Sequence, residues 1–341
     1  MDAPTVLFLA HDPQIPSFRL RLKPVAAALI GIGAQVRIER LRRGREFVRL
    51  LPLIPAIRRA DLVVVSKLKL FGPERTLVRT LSGPWVYDVD DAVMYGKPKV
   101  HGRPPDMARW RLKRFEALCR GADLVVTATR ILSDRIPKGV RNEIIPTPVD
   151  CAGYPARTPA TPSEGLRLAW IGLGENLRYL NDLIPTLEEA SHRIPGLCLD
   201  VISDGLPERR PGFPMRLVRW SEETQGASLA SADVGLAPLP DDLWTTGKGG
   251  YKIIQYMAAG LPVLASRLEA QEEIGGPAEE AALYCATPDE WITALERLAG
   301  DAGLRSRMGG CARRRAEELF DVRVVSTKYA ALILDLARQR M

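Results

Sequence analysis

The sequence predicts an α/β protein made of two doubly wound, Rossmann-like domains, each built on a parallel sheet. Three observations predict this fold. Short apolar runs alternate with helical segments along the chain, as they do in right-handed βαβ units. A proline-rich break between Pro146 and Gly165 separates two such series. The length of 341 residues also exceeds what one hydrophobic core usually serves.

The first domain is predicted over residues 1–148. Its apolar runs predict strands at 5–10, 35–39, 61–66, 85–88, 123–127 and 143–145. Helices are predicted between most of these strands. One of them covers 105–120, with a proline near its start and Gly121 just after its end.

Residues 149–165 are predicted to form an exposed linker, and 166–321 form the second domain. Its predicted strands cover 166–171, 197–202, 216–218, 233–237 and 261–265. An Ala-Asp pair precedes a buried strand three times, at 60–61, 122–123 and 232–233, which indicates that the two halves are related. A long amphipathic helix over 322–341 ends the chain.

Composition is that of a soluble globular protein, with 46% hydrophobic and 26% charged residues. Five dispersed cysteines without a Cys-x-x-Cys motif predict reduced thiols in the cytoplasm. The chain enters an apolar strand without a basic leader, so no signal peptide is expected. Its longest apolar stretch, Pro24 to Val36, is shorter than the roughly 20 residues of a membrane span.

Charge is distributed unevenly between the halves. Residues 1–150 hold 27 Lys and Arg against 15 Asp and Glu, a net of +12, whereas residues 151–341 hold 21 against 26, a net of −5. The excess predicts an anionic partner for the first half. The segment from Arg37 to Arg59 interleaves arginines with apolar residues. It is interpreted either as a surface for an anionic membrane or as a core-facing helix with solvated arginines.

The most informative segment runs from Gly247 to Ser266, with the sequence GKGGYKIIQYMAAGLPVLAS. A helix is predicted after the glycines and is expected to end at Gly260, with φ > 0 there. It would carry Lys248, Lys252 and Gln255 on one face, beside unpaired N–H groups at its N-terminus. This arrangement suits a diphosphate. The alternative is a solvated lysine face on a packed helix.

This segment resembles the donor-binding segment of the family-4 ("group 1") glycosyltransferases of the GT-B fold. It is most similar to a subgroup with Gly-Lys followed by Lys-x-x-Gln/Glu-Tyr-Met-Ala. Many members carry two glutamates eight residues apart, and those positions are Gly247 and Gln255 here. The resemblance implies two domains facing across a cleft, a terminal helix that returns to the first domain, and a nucleotide-sugar donor. Gln255 would then bind a ribose hydroxyl through its amide.

The turn Gly172-Leu173-Gly174 follows a predicted strand and precedes a helix for which Asn176 is the expected N-cap. By itself the turn is interpreted either as structural or as a phosphate cradle. The resemblance implies that Gly172, Gly174 and Asn176 face the donor diphosphate together with Gly247 and Gly249. Relatives often have Ser or Thr in this turn, where this chain has Leu173 and Glu175.

The run Asp88-Val89-Asp90-Asp91 ends the fourth predicted strand and has three interpretations. An Asp-x-Asp pair holds a metal in glycosyltransferases of the GT-A class, but Lys248 and Lys252 supply positive charge here, so no metal is assigned. Asp90 or Asp91 would instead orient sugar hydroxyls, or accept a proton because neighbouring carboxylates raise one another's pKa. Asp90 could also cap a helix.

Four further residues complete the candidate site. Arg19, in the loop after the first strand, is interpreted as a phosphate clamp or as a plain surface arginine. His11 is the best placed of the three histidines, since it follows the first strand. The resemblance implies that Asp242 shapes the donor site and that Glu273 contacts the nucleotide. No Ser/His/Asp set and no metal-ligand spacing is present in the sequence.

Together these observations predict a glycosyltransferase, with Asp90, Asp91, Lys248 and Lys252 as its catalytic residues and no cofactor beyond the donor substrate. The resemblance implies retention of configuration without a metal. The basic first domain predicts a sugar or lipid-linked acceptor, envelope polysaccharide or glycolipid synthesis, and peripheral contact with an anionic membrane. The alternatives are a GT-B sugar-nucleotide epimerase and a non-catalytic scaffold. Nucleic acid is not expected as a partner, because no aromatic cluster accompanies the arginines.

Overall fold

The computed structural model describes residues 3–41, 48–67, 70–96, 108–155 and 165–339. The chain forms two compact units. The first contains Met1–Pro148, Asp242–Gly249 and Val322–Met341, and the second contains Val149–Asp241 and Gly250–Asp321.

The first unit contains a parallel six-stranded sheet with the order β2-β1-β3-β4-β5-β6. Its elements before the linker are β1 (Thr5–Ala10), α1 (Lys23–Gly31), β2 (Gln35–Arg40), α2 (Ile54–Arg59), β3 (Leu62–Ser66), α3 (Gly72–Leu81), β4 (Trp85–Val89), α4 (Arg109–Gly121), β5 (Leu124–Thr127), α5 (Arg130–Ser133) and β6 (Asn142–Ile144). One turn of π-helix, Ser17–Leu22, leads into α1.

The second unit contains a parallel six-stranded sheet with the order β12-β11-β10-β7-β8-β9. Its elements are β7 (Arg167–Ile171), α6 (Leu177–Arg193), β8 (Cys198–Ser203), β9 (Met215–Arg219), α7 (Gln225–Ala230), β10 (Val234–Ala237), α8 (Tyr251–Ala258), β11 (Val263–Ser266), α9 (Glu269–Gly275), β12 (Ala282–Cys285), α10 (Pro288–Gly300) and α11 (Ala302–Arg315). The last helix, α12 (Val322–Arg338), packs against α1 in the first unit.

Apolar side chains cover both faces of each sheet, which explains why the strands read as continuous apolar runs. On the first sheet one core includes Trp85 and Tyr87 on one face, and the other includes Phe8 and Tyr329. In the second unit Tyr256 and Trp170 belong to two separate clusters in the same way. The predicted α/β class with two parallel doubly wound sheets is therefore confirmed.

The repeated Ala-Asp pair has a physical explanation. Each aspartate lies just before its strand, and its carboxylate accepts the first backbone N–H of the neighbouring strand. Asp61 accepts from Thr5 at 2.7 Å, Asp123 from Trp85 at 2.9 Å, and Asp233 from Arg167 at 2.9 Å. The strands accordingly begin one residue later than predicted, at Leu62, Leu124 and Val234.

Several predicted boundaries are wrong for local reasons. Strand β11 begins at Val263 rather than at 261, because Gly260 is in the left-handed region at φ 69°. Gly121 is the last residue of α4 and does not follow it. The predicted start of that helix and most of the predicted linker lie outside the described residues. Strand β12 was not predicted at all.

The basic segment from Arg37 to Arg59 is not one helix. It contains the end of β2, residues 42–47 that lie outside the described chain, a 3₁₀ turn (Val48–Leu53) and α2. Leu50 and Ile57 are buried in the core, while Val48 is 56% exposed. None of the helices in the described part of the chain combines the length and hydropathy that crossing a bilayer requires. All five cysteines are free thiols.

Candidate functional site

The switch point of the second sheet lies between β7 and β10, where the strand order reverses. In doubly wound sheets, ligands bind beyond the carboxyl ends of the strands at such a point. The turn at Gly172 follows β7 directly. Its carbonyl accepts a hydrogen bond from the Ser203 hydroxyl at 2.7 Å, so β8 holds the turn in place.

Lys252 lies across this turn. It is in the first turn of α8, and its Nζ lies 3.7 Å from the centroid of the Trp170 ring. A Cβ at Gly172 would lie 2.6 Å from that Nζ and 2.8 Å from the Trp170 ring. Only glycine therefore leaves room for the ammonium group at the end of β7. The structure brings two predicted site residues together here, and it adds Trp170, which the sequence analysis missed.

Lys248 is not on the helix, which corrects the predicted face of Lys248, Lys252 and Gln255. Helix α8 begins at Tyr251, because Gly250 takes the left-handed conformation at φ 57° and breaks the helical path. Lys248 lies in the preceding loop, where its N–H donates to the carbonyl of Thr245. The two lysines belong to different units. The predicted stop at Gly260, with φ > 0, is confirmed.

Asp242 builds the loop that carries Lys248. Its Oδ1 accepts the backbone N–H groups of Trp244 and Thr245, both at 2.8 Å, which is an Asx turn. Lys248 Nζ lies 6.0 Å from the centroid of the Trp244 ring. Asp242 thus shapes the local backbone, and its described contacts are with its own loop.

The two glycines of this loop pack on the turn that follows β4. A Cβ at Gly247 would lie 2.5 Å from the Cβ of Ala92, and one at Gly249 would lie 3.3 Å from the carbonyl oxygen of Asp90. In the first unit, the structure therefore brings Gly247 and Gly249 next to the predicted aspartates.

Gln255 belongs to a buried hydrogen-bond network. Its side chain is 6% exposed, and its Nε2 donates to Tyr154 Oη at 3.1 Å and to Gln225 Oε1 at 3.0 Å. Both amide protons are used inside the second unit. The structure does not place Gln255 beside Gly172, whereas Lys252, one helical turn earlier, lies there.

Asn176 precedes α6 as predicted, but its side chain makes no capping hydrogen bond, which corrects the expected cap. Its Oδ1 is buried and has no hydrogen-bond partner among the described residues. Gly174 faces the carboxylate of Asp204, since a Cβ at Gly174 would lie 2.8 Å from Asp204 Oδ1. Glu273 lies in α9, and its carbonyl accepts a hydrogen bond from Arg315.

In the first unit, Asp90 and Asp91 bind Lys67, which the sequence analysis missed. Lys67 Nζ lies 2.9 Å from Asp90 Oδ1 and 2.6 Å from Asp91 Oδ2. Burial raises the pKa of Asp90, but Lys67 and Arg21 outweigh it and hold that pKa below its usual value. The expected mutual rise of the pKa values is therefore wrong for Asp90. No helix begins after Asp90 within the described residues up to 96, so the capping interpretation is wrong as well.

Asp88 has a different role from its neighbours. It is buried, and both its oxygens accept hydrogen bonds from Arg21 Nε, at 2.9 and 3.0 Å. The Tyr329 hydroxyl donates to Asp88 Oδ1 at 2.9 Å, which connects α12 to β4. Arg21 also donates to the carbonyl of Ile145 at 2.7 Å. This side chain belongs to the fold of the first unit.

His11 and Arg19 follow β1, as predicted. His11 Nδ1 lies 3.4 Å from the carbonyl oxygen of Leu41, and the carbonyl of His11 accepts from Arg40. Arg19 is half-buried in the π-helical turn, two residues after Ser17. Within the described chain, no group of three His, Cys, Asp or Glu side chains is placed to hold a metal ion.

Part of the chain matches a known family. Residues 167–301 match the model of a family described as "Glycosyl transferases group 1". The chain is 34% identical over 116 residues to the MMP alpha-(1->4)-mannosyltransferase of Mycolicibacterium hassiacum, a match that spans 33% of this chain and 26% of that protein.

Solved structures of the same fold cover nearly the whole chain. A sucrose-phosphate synthase from Thermosynechococcus elongatus superposes with a TM-score of 0.73 at 16% identity, covering 98% of this chain and 100% of that one. HepE of Anabaena, solved in complex with UDP and glucose, superposes with a TM-score of 0.69 at 14% identity, covering 97% and 100%. The fold is therefore of the GT-B type, and the family match supports the resemblance to group 1 glycosyltransferases.

Proposed function

We propose that this protein is a glycosyltransferase that moves a sugar from a nucleotide diphosphate sugar to an acceptor, with retention of configuration and without a metal. The observation that carries the proposal is Lys252, held over Trp170 at the N-terminus of α8 and beside Gly172, at the switch point of the second sheet. The family match covers this segment. HepE, of similar fold, was solved with UDP-glucose.

The chemistry of transfer needs positive charge where the leaving diphosphate becomes more negative. The Lys252 ammonium group and the first N–H groups of α8 supply it, and they act most strongly on charge that develops in the transition state. Lys248, from the preceding loop, is proposed as a second cation. Asp90 and Asp91 are proposed to accept hydrogen bonds from sugar hydroxyls, and Gly174 and Asn176 to complete the turn that faces the phosphates.

The acceptor is proposed to be anionic or lipid-linked, because the first 150 residues carry a net charge of +12. The protein would then work in the cytoplasm and bind the inner face of the membrane peripherally, in the synthesis of envelope polysaccharide or glycolipid. Flotation with vesicles of anionic lipid at low salt tests this part. Recovery of the protein only in the lipid-free fraction would contradict it.

Calorimetric titration with UDP and with GDP, in the presence of EDTA, tests the donor site. We expect micromolar binding of one nucleotide, and we expect it to be lost in the double variant Lys248→Ala/Lys252→Ala. The variant Lys138→Ala, at an exposed lysine of the first unit, is the control and should bind as the wild type does. Failure of UDP, GDP and the remaining nucleoside diphosphates to bind the wild type would refute the proposal.

A non-catalytic scaffold is the second candidate, and one observation favours it. Gly247 and Gln255 stand where many relatives carry glutamates, and the amide protons of Gln255 are used by Tyr154 and Gln225. Such a scaffold would bind anionic partners and would not transfer a sugar. Incubation with UDP-glucose and with GDP-mannose together with an anionic or lipid-linked sugar acceptor, followed by measurement of released nucleoside diphosphate, separates a scaffold from a transferase.

A further inference from the structure

The first sheet also has a switch point, between β1 and β3. Three segments meet there with polar side chains. Ser17 lies in the π-helical turn that follows β1, Lys67 directly follows β3, and Asp90 and Asp91 follow the neighbouring strand β4. This is the position in a doubly wound sheet where ligands are bound.

Lys67 joins the three segments. Its Nζ lies 2.6 Å from Asp91 Oδ2, 2.9 Å from Asp90 Oδ1 and 3.0 Å from Ser17 Oγ. Two of these contacts, with Asp91 and Ser17, are hydrogen bonds, and the contact with Asp90 is an ion pair. The lysine side chain is 19% exposed, compared with 12% for Asp90 and 27% for Asp91. Asp91 is therefore the carboxylate that a ligand reaches most easily.

The backbone at Lys67 is in the left-handed region, with φ 50°. This conformation is uncommon for residues other than glycine, asparagine and aspartate, and it persists where surrounding contacts impose it. Its N–H donates to the carbonyl of Asp88 at 3.0 Å, which ties β3 to β4 at the same point. A glycine would fit this backbone at less cost, so the side chain is the reason for a lysine here.

We propose that Lys67 is a positioning residue: its ammonium group pairs with Asp90 and Asp91, offsets part of their negative charge, and holds their carboxylates as hydrogen-bond acceptors for the hydroxyls of the donor or acceptor sugar. This inference rests on the proposed transferase function. It assigns the Asp90–Asp91 pair an orienting role rather than the transfer of a proton, since ionised carboxylates held by an ammonium group are poor bases.

The charges around the pair agree with this role. Lys67 faces Asp90 from β3, and Arg21 faces it from the turn before α1; both lower its pKa. Asp88, near the end of β4, is itself bound to Arg21. Burial lowers the pKa of Lys67, but Asp91 and Asp90 outweigh it and raise that pKa, so the lysine stays charged.

The experiment compares Lys67→Gly, Lys67→Asn and Lys67→Arg with the wild type. Glycine and asparagine suit the left-handed backbone and remove the charge, whereas arginine keeps the charge. The Lys138→Ala variant is the surface control. Release of nucleoside diphosphate from UDP-glucose or GDP-mannose, with an anionic or lipid-linked sugar acceptor or water receiving the sugar, gives kcat and KM. Calorimetry gives the affinity for UDP or GDP, and carboxyl NMR titration gives the pKa of Asp90.

We expect unchanged nucleotide affinity in all three variants, because Lys67 holds Asp90 and Asp91, which are proposed to face sugar hydroxyls rather than the diphosphate. In Lys67→Gly and Lys67→Asn, kcat should fall roughly 100-fold, the loss typical of a reacting group misplaced by about 1 Å. The pKa of Asp90 should rise, and the acidic limb of the kcat profile should move to higher pH. Lys67→Arg should recover part of kcat and keep the low pKa.

Wild-type kcat and an unchanged pH profile in a folded, nucleotide-binding Lys67→Gly or Lys67→Asn variant would overturn the inference. The inference would also be overturned if Lys67→Arg lost as much kcat as Lys67→Gly and Lys67→Asn while the pKa of Asp90 stayed low. The positive charge at position 67 would then not be the property that supports kcat. Absence of nucleotide binding in the wild type would instead refute the proposed function. The two failures are therefore distinguishable.

Discussion

Breaking the buried ion pair of Arg21 and Asp88 should strongly destabilise the first unit, and Arg21→Met tests this. Both side chains are 1% exposed. Methionine keeps most of the volume of the side chain but removes the guanidinium group. The buried Asp88 side chain would keep only the hydrogen bond from Tyr329.

The expected cost follows from these contacts. Removing one partner of a buried ion pair typically costs about 3–5 kcal/mol, because the other charge stays buried without compensation. Tyr329→Phe removes one hydrogen bond to the same carboxylate and should cost about 1.5–3 kcal/mol. The double variant Arg21→Met/Asp88→Asn no longer contains the buried, unpaired carboxylate of residue 88. Its cost should therefore fall short of the sum of the single changes by about 1–3 kcal/mol.

Thiol labelling during urea unfolding reads out the first unit separately. Cys119 is fully buried in that unit, and burial raises its pKa to about 12, so it reacts only when the unit opens. Cys285 reports on the second unit in the same way. With a urea dependence of about 2 kcal/mol per molar, a loss of about 4 kcal/mol lowers the Cys119 midpoint by roughly 2 M.

The matched control is Lys23→Met, which removes an exposed charge two residues away from Arg21 and should shift the midpoint little. If the urea midpoint of Cys119 labelling in Arg21→Met is the same as in Lys23→Met, the expected destabilisation is refuted. It would mean that Asp88 is neutral in the folded protein or finds another partner.

Three further predictions concern the two switch points. Gly172→Ala should weaken UDP or GDP binding at least tenfold in calorimetry, because the new methyl group would clash with Lys252 and Trp170. The control is Gly31→Ala, where the added methyl group meets no other atom, and an unchanged dissociation constant in Gly172→Ala would contradict the placement of Lys252. Gly235→Ala should destabilise the second unit by about 1–3 kcal/mol or more, as measured by labelling of the Cys285 thiol during urea unfolding, because its Cβ would lie 2.3 Å from the Tyr256 ring. Wild-type stability in this variant would show that the ring is not held there. The low pKa of Asp90 stabilises the folded state at pH values above the unfolded carboxyl pKa of about 3.9, and this stabilisation is lost as the pH falls through the folded pKa. The difference in melting temperature between the wild type and Lys67→Gly should therefore be largest near neutral pH and shrink below about pH 4. A difference that does not depend on pH would contradict the ion pair.

The strands could be predicted from sequence because their pattern is local. Strand β1 was predicted residue for residue, and most others within one or two positions. Strand β12 was not predicted because Ala282–Cys285 is a four-residue edge strand without an alternation of apolar and polar residues. The start of α8 was misplaced because the left-handed turn at Gly250 depends on the backbone of the loop, which helical spacing does not describe.

The partners of the charged side chains could not be predicted, since they are set by tertiary contacts. Nothing in the sequence distinguishes Arg19 from Arg21, yet Arg21 is fully buried against Asp88 and Arg19 is half-buried. Lys67 lies 24 positions from Asp91. A signal did exist: Lys67 immediately follows a predicted strand that neighbours the strand ending in the aspartates, and the ends of parallel neighbours meet.

Tyr256 and Lys252, both on α8, have different roles at the switch point of the second sheet. Strands β7 and β10 pair only at 168–169 with 234–235. Beyond that point the Tyr256 hydroxyl bridges them, accepting from the Ile171 N–H at 3.1 Å and donating to the Leu236 carbonyl at 2.8 Å. The strands therefore separate at their carboxyl ends without leaving these backbone groups unpaired. That separation is what a crevice at the switch point requires. One turn earlier on the same helix, Lys252 reaches the end of β7, so a single helix both holds the strands apart and supplies the charge.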